Sequence, residues 1–392
     1  MDRAVGLVGT VLVATLATVV TWAAIVGSWH PLRDAEAATA PLTLTRPAAT
    51  PGEATLLFAG DTAVTDQSLP TLEAKGLLFP FGSTIDELRG ADVAVVNAEA
   101  PITDGGTHFP IFKDYVYRGP AAFARALADA GFDVVQLANN HAVDYGRDGL
   151  ADTIANITGA GMVAIGAGRD AAAARRGVVV DVGGIRIGLL AYCERQLVWD
   201  LYVDQFARVG RAGVAMAAAP DLGRDIARLK ARADLVVVSF HAGDNYAPPR
   251  ASSLAWSRRA IDAGADLVVD HHPHVAHPIA RYRGRPIVLS LGNYAFGTSG
   301  RFAPERDDLL NVGLLAYAHA RRCPDGAAFD RVEILPLAVQ NSRVHFRPEP
   351  LSADELARTL ERLRLLSSRY GAELRVERGR ALLPLDGCPV AR

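Results

Sequence analysis

This 392-residue sequence predicts an α/β fold built mainly on parallel strands, and two observations carry the prediction. Short apolar runs rich in β-branched residues alternate with helical stretches, the pattern of strand–helix–strand crossovers. Six of those runs end in polar residues capable of chemistry, and open α/β sheets gather their ligands outside the carboxyl ends of strands.

In chain order, the run Ala54 to Ala59 ends in Gly60-Asp61, and Asp92 to Val96 ends in Asn97-Ala98-Glu99. Asp133 to Leu137 leads to Asn139-Asn140-His141, and Leu235 to Phe240 leads to His241-Ala242-Gly243-Asp244. Leu267 to Val269 leads to Asp270-His271-His272-Pro273-His274, and Pro286 to Leu289 to Ser290-Leu291-Gly292-Asn293. Helices are expected between them. Pro120 opens and Gly131 closes one over 121–130, the usual asymmetry of helix ends. Others are expected over 147–159, 221–231 and 252–263. Gly183-Gly184, between 177–181 and 185–192, signals a hairpin, so part of the sheet is antiparallel. Residues 311–318 and 331–339 read as another antiparallel pair, and 342–346 as a last short strand. Over 353–370, Leu356, Leu360, Leu363 and Leu366 fall on one helical face.

The N-terminus sets the compartment. From Ala4 to Trp29 there is no charged residue, and at about 1.5 Å per residue a helix there spans a bilayer core of about 30 Å. Residues 1–30 therefore read as a signal anchor, giving a single-pass protein of the bacterial cell membrane with its main domain extracytoplasmic. Cleavage at the small residues of 35–40, and secretion, is the alternative. Residues 31–53, rich in Ala, Pro and Thr without apolar period, read as a flexible linker. The main domain is expected over 54–345, with a C-terminal helix and tail over 346–392. Cys323 and Cys388 both precede Pro in turn-like surroundings and are compatible with one disulfide, while Cys193 beside an apolar run reads as a buried thiol. With 41 basic against 43 acidic residues there is no electrostatic footprint for nucleic acid.

The chemistry centres on residues 270–274. Neutral imidazole is a common ligand for divalent transition metals, whereas packing several imidazoles into a purely structural cluster requires desolvating all of them. In an extended segment His272 and His274 would face the same way and His271 the other. Asp61 and Glu99 add anionic oxygens, Asn140 a carbonyl and His241 another imidazole. This mixed set suits two divalent ions of the manganese, iron or zinc kind. Asp144, three residues after His141, either orients that imidazole or caps the following helix.

The stretches AGDT (59–62), NAEAP (97–101), ANNHAVDYG (138–146), HAGDNY (241–246), HHPHV (271–275) and SLGNYAFG (290–297) resemble, in order, the motifs of the CapA/PgsA family of bacterial capsule and poly-γ-glutamate synthesis proteins. The resemblance covers about 54–345. It implies a calcineurin-like metallophosphoesterase fold, a four-layer α/β/β/α sandwich. It also implies a part in synthesis or export of an anionic polymer, alongside other subunits of a capsule complex, with metal-dependent hydrolysis as the accompanying activity. Carried over by position, Asp61, Glu99, Asn140, His241, His272 and His274 are metal ligands, with Glu99 bridging, and His141 is the general acid. Asn97, Asn139, Tyr246 and Asn293 are expected to contact substrate. Three positions depart from the pattern: Ala63 stands where His is usual, Asn245 where Glu is, and Asp270 where Gly is. The alternatives are a non-catalytic assembly or transport partner and a periplasmic phosphoesterase that acts on small phosphoesters unrelated to capsule.

Overall fold

Burial along the strands has period two and separates two cores. Val178, Val180, Leu235 and Val237 face one core, while Val179, Val236, Val238 and Phe240 face the other. These residues come from a computed structural model that describes residues 40–108, 113, 115–195, 204–298 and 308–388. The helix expected over 1–30 lies outside the described residues, and among them no helix is long and apolar enough to cross a membrane.

The fold is mixed α/β on two large sheets. The seven-stranded sheet runs, in spatial order, Leu42–Arg46, Val178–Val182, Ile185–Cys193, Leu235–His241, Leu267–His271, Arg285–Val288, Ile279–Tyr282. The ten-stranded sheet is centred on Glu53–Ala63, with Val93–Ala98, Val134–Gln136 and Val163–Ile165 parallel on one side. On its other side the hairpin Gly313–Cys323 and Gly326–Ala338 pairs antiparallel. The first core draws Leu56, Val93 and Ile334 from this sheet together with Val180 and Val237 from the other, so the two sheets share it. Helices Ala219–Lys230 and Ala251–Asp262 cover the second core through Leu222, Ile226, Leu229 and Ala260. Phe123, Leu127, Leu150 and Ile157 bring helices Phe123–Ala130 and Gly146–Gly159 onto the first. Each such side chain contributes about 1.5–3 kcal/mol by leaving water.

Three local expectations are corrected. Leu42–Arg46, inside the stretch read as a linker, is a strand parallel to Val178–Val182. Leu42 and Leu44 rest on the core, and Arg46 Nε donates to Asp133 Oδ1 at 2.8 Å. The expected strand over 342–346 is instead the helical turn Asn341–Val344. Asn341 Oδ1 accepts the Phe346 amide at 2.8 Å, and His345 (φ 49°) and Phe346 (φ 70°) bend the chain out of any extended course. Past 371 the chain still orders, with Arg375–Glu377 and Arg380–Pro384 extending the larger sheet. Cys323 and Cys388 form a disulfide, and Cys193 is a buried thiol whose sulfur accepts from Gln205 Nε2 at 3.5 Å.

One close crossing positions the site. The Asp61 amide donates to the Gly292 carbonyl at 2.9 Å, bringing strand Asn293–Phe296 alongside Asp61. A Cβ at residue 60 would overlap that carbonyl, so glycine is required there.

Candidate metal centre

Parallel pairing brings strand ends far apart in sequence to one place. Asp61 lies near the end of Glu53–Ala63, Glu99 follows Val93–Ala98, and Asn140 and His141 follow Val134–Gln136. His241 ends Leu235–His241, and the next strand of the same sheet ends at His271. Beyond it the chain does not stay extended, because His272 has φ 99° and His274 φ 57°. The alternation expected there therefore fails. His272 and His274 do both enter the site, through a turn, while His271 does not face away: its Nδ1 lies 3.2 Å from Asp61 Oδ1. Asp61, Glu99, His241, His271, His272 and His274 are all buried.

Their donor atoms form two overlapping triads. Glu99, His241 and His272 make one, Asp61, Glu99 and His274 the other, each with its ligand atoms within 4.8 Å of one another. Glu99 belongs to both. His241 Nε2 lies 2.7 Å from Asn140 Oδ1, 2.9 Å from His272 Nδ1 and 3.3 Å from Glu99 Oε1. One ring nitrogen thus meets two acceptor oxygens and a second imidazole, more lone pairs than a single proton can satisfy. Both oxygens of Glu99 are buried without a hydrogen-bond donor. An unsatisfied buried carboxylate is costly, and a shared cation is the partner this geometry suits.

The electrostatics point the same way. Burial, then the charge of Asp61, holds the Glu99 carboxyl well above the usual carboxylate range. Burial alone would raise Asp61 too, but His271 and His274 overcome it and hold Asp61 well below that range. His241 is pushed down to about 3, chiefly by burial, and His272 well below the usual imidazole value for the same reason. Burial opposes charge on His274 as well, yet Glu99 and Asp61 raise it to about 9. The pair that decides the charge is His274 with Asp61, so proton and cation compete for the same pocket.

Beside the triads, His141 Nδ1 lies 2.7 Å from Asp144 Oδ2. Asp144 also accepts from Lys113 Nζ at 2.6 Å and from the Tyr117 amide at 2.9 Å. Burial raises the Asp144 carboxyl, but Lys113 and His141 outweigh it and keep it below its usual value. Lys113 Nζ, a donor only, also lies 3.0 Å from His141 Nδ1, but the shorter contact is with an ionised Asp144, which favours the Nδ1–H tautomer and so leaves Nε2 as the reactive nitrogen. The Tyr117 ring stacks on His141 at 4.4 Å. Burial and then Lys113 push His141 down to about 4. Of the two roles open to Asp144, these bonds are those of an orienting group; the helix that follows starts after Tyr145 without a side-chain cap.

The residues expected to contact substrate divide. Asn97 and Asn139 are fully buried and engaged. Asn97 Nδ2 donates to Asp61 Oδ1 at 2.7 Å, and Asn139 Nδ2 donates to Asn97 Oδ1 and to the Ala98 carbonyl. Their place is behind Asp61 and the rest of the cluster, where they hold its side chains in position. Asn293 Oδ1 lies 2.9 Å from His274 Nδ1, and the Tyr246 ring is 5.6 Å from that of His274; both line a small cavity beside it. Ala63, where a ligand His is usual, packs with Ala100, Tyr117 and Phe296 in an apolar patch. Asn245 is exposed. Asp270 accepts from Ser257 Oγ at 2.8 Å, and burial holds its carboxyl well above the usual range. Sequence reasoning missed Lys113 and Tyr117. A lysine in the FKDY stretch was the available signal, but no spacing ties it to His141.

Fold and cluster together define a class: an α/β protein with a buried carboxylate–histidine centre at its strand ends, of the composition that holds divalent cations. Residues 55–298 match the family model described as bacterial capsule synthesis protein PGA_cap, and the chain belongs to that family. It is 33% identical over 308 residues to a probable polyglutamine synthesis accessory protein of Mycobacterium tuberculosis, covering 75% of this chain and 77% of the relative. It is 28% identical to the PGA biosynthesis protein CapA of Bacillus subtilis, covering 84% and 82%. With the capsule biosynthesis protein CapA of Bacillus anthracis it shares 31% identity, covering 62% and 59%.

Proposed function

We propose that the chain is a metal-dependent hydrolase of the four-layer metallophosphoesterase type, held at the membrane with its main domain outside the cytoplasm and serving synthesis or export of a polyglutamate capsule. The observation that carries the enzymatic half is Glu99, buried in both triads with no donor for either oxygen. The names of the relatives support the biological half. The Cys323–Cys388 disulfide suits an oxidising compartment.

The donors fit two divalent ions. Asp61 and His274 would hold one, His241, His272 and Asn140 the other, and Glu99 would be shared. Bound there, such ions supply Lewis acidity. The chain does the rest. Asn97 fixes Asp61 in place, Asp144 fixes the His141 tautomer, and Lys113 fixes Asp144. Protonated on both nitrogens, His141 would pass its Nε2 proton to the leaving group, a contribution typically of about 10²- to 10⁴-fold, and its low pKa of about 4 makes that form scarce at neutral pH. The ring of Tyr117 shields His141 from solvent on one face.

The test is turnover of a chromogenic phosphoester by the metal-loaded full chain. His141→Ala should reduce it by about 10²-fold or more with metal content unchanged; equal turnover in the variant would remove His141 from the chemistry. A second reading, a non-catalytic assembly partner, is favoured by the cavity beside His274, whose volume of about 20 Å³ admits about one water. It predicts metal binding without turnover.

A further inference from the structure

Four tyrosines are buried among the described residues: Tyr117, Tyr192, Tyr294 and Tyr317. A buried phenol usually finds a hydrogen-bond partner, and three of these do. Tyr192 donates to Asp225, Tyr294 pairs with Thr84, and Tyr317 donates to Glu87. Tyr117 is the exception. Its amide donates to Asp144 at 2.9 Å, but its hydroxyl makes no hydrogen bond among the described residues. Nor is that hydroxyl one of the fully buried unpaired atoms, so it opens to solvent. The ring itself is held firmly. It stacks on His141 at 4.4 Å, meets Phe296 edge-on at 5.6 Å and packs with Ala63 and Ala100. Phe296 in turn lies 4.7 Å from the His274 ring, so Tyr117 borders His141 directly and His274 through one ring. After burial, the charge of Glu99 pushes the phenol up more than Tyr246, Asp144 or Tyr115 does, although Asp144 holds the Tyr117 amide. The hydroxyl thus lies toward Glu99, and it keeps its proton.

We propose that the Tyr117 hydroxyl is the donor that holds a phosphoryl oxygen of the substrate, in the space bounded by Glu99 and His141. The proposal rests on the hydrolase reading and adds to it a catalytic residue. A neutral donor suits this place, because it meets a negative oxygen without surrendering its own proton to the carboxylates around it. The hydroxyl gives a hydrogen bond to charge developing on that oxygen in the transition state, and hydrogen bonds to charged oxygens are the strong ones. The stack on His141, the edge contact with Phe296 and the amide bond to Asp144 all fix the ring without using the hydroxyl. The donor is therefore in position before the substrate arrives, and its dipole needs no reorganisation during the reaction.

Tyr117→Phe keeps the ring and removes only the hydroxyl. Two measurements on the metal-loaded full chain read the loss: affinity for inorganic phosphate, by titration calorimetry, and turnover of p-nitrophenyl phosphate. Both should fall at least about tenfold, with metal content and melting temperature as in wild type. A ring that only packs predicts no change in either, because Phe preserves the stack on His141. A variant that binds phosphate as tightly as wild type, or a wild type that binds none, therefore overturns the proposal whatever the ester assay reads. Wild type that binds phosphate through Tyr117 yet turns over no ester would instead count against the hydrolase and leave the hydroxyl standing as a phosphoryl-oxygen donor.

Discussion

Glu99 is the one residue common to both donor triads. A buried carboxyl group whose two oxygens receive no hydrogen bond, with only imidazoles at 3.3 and 3.8 Å from Oε1, is a poor structural group. Glu99→Gln removes the shared charge, so added manganese or zinc should raise the melting temperature of wild type by ligand linkage and that of the variant much less. Equal shifts would show that the ion does not sit on Glu99. His277 offers a pH test away from the ligands. Its Nε2 lies 2.8 Å from the Ala247 carbonyl, and burial pushes the ring down to about 4 from an ordinary 6.5. Between those values the unfolded chain binds a proton that the folded chain refuses. Its contribution is complete above about pH 6.5 and is lost as pH falls toward 4, on the order of 3 kcal/mol. Urea midpoints of His277→Gln should therefore fall less across that window than those of wild type; parallel curves would contradict this.

At the scale of elements, the strand ends were legible because apolar runs stop at chemically distinctive residues. Asp61, Glu99, Asn140, His241, His272 and His274 all converge as the parallel reading requires. The turn at 272–274 was not legible, since positive φ at two histidines is a tertiary outcome that no local preference announces. Nor was Leu42–Arg46, whose five residues gain their order from pairing with Val178–Val182 rather than from composition. Lys113 was invisible for a related reason: its partners Asp144 and Asn140 come from a loop brought to it by the fold. The disulfide closes the far end of the larger sheet, 65 positions apart in sequence. Cys388→Ser should cost about 2–4 kcal/mol of stability, read from denaturant unfolding with and without reductant. A variant as stable as oxidised wild type would mean that the tail is held by packing alone.

Over the whole molecule, two sheets share one core, and their strand ends supply the donor atoms of the cluster from both sides. Asp61, Glu99 and Asn140 come from the larger sheet, His241, His272 and His274 from the smaller. Loading the centre should therefore couple the sheets, protecting strand amides of both from exchange when metal is added, whereas protection confined to one sheet would contradict a shared centre. Elemental analysis of the purified full chain beside Glu99→Gln tests the two-ion centre most plainly. Wild type should hold two equivalents of manganese, iron or zinc, and the variant clearly less. A folded wild-type chain that holds no divalent transition metal, even after incubation with these ions, would contradict it.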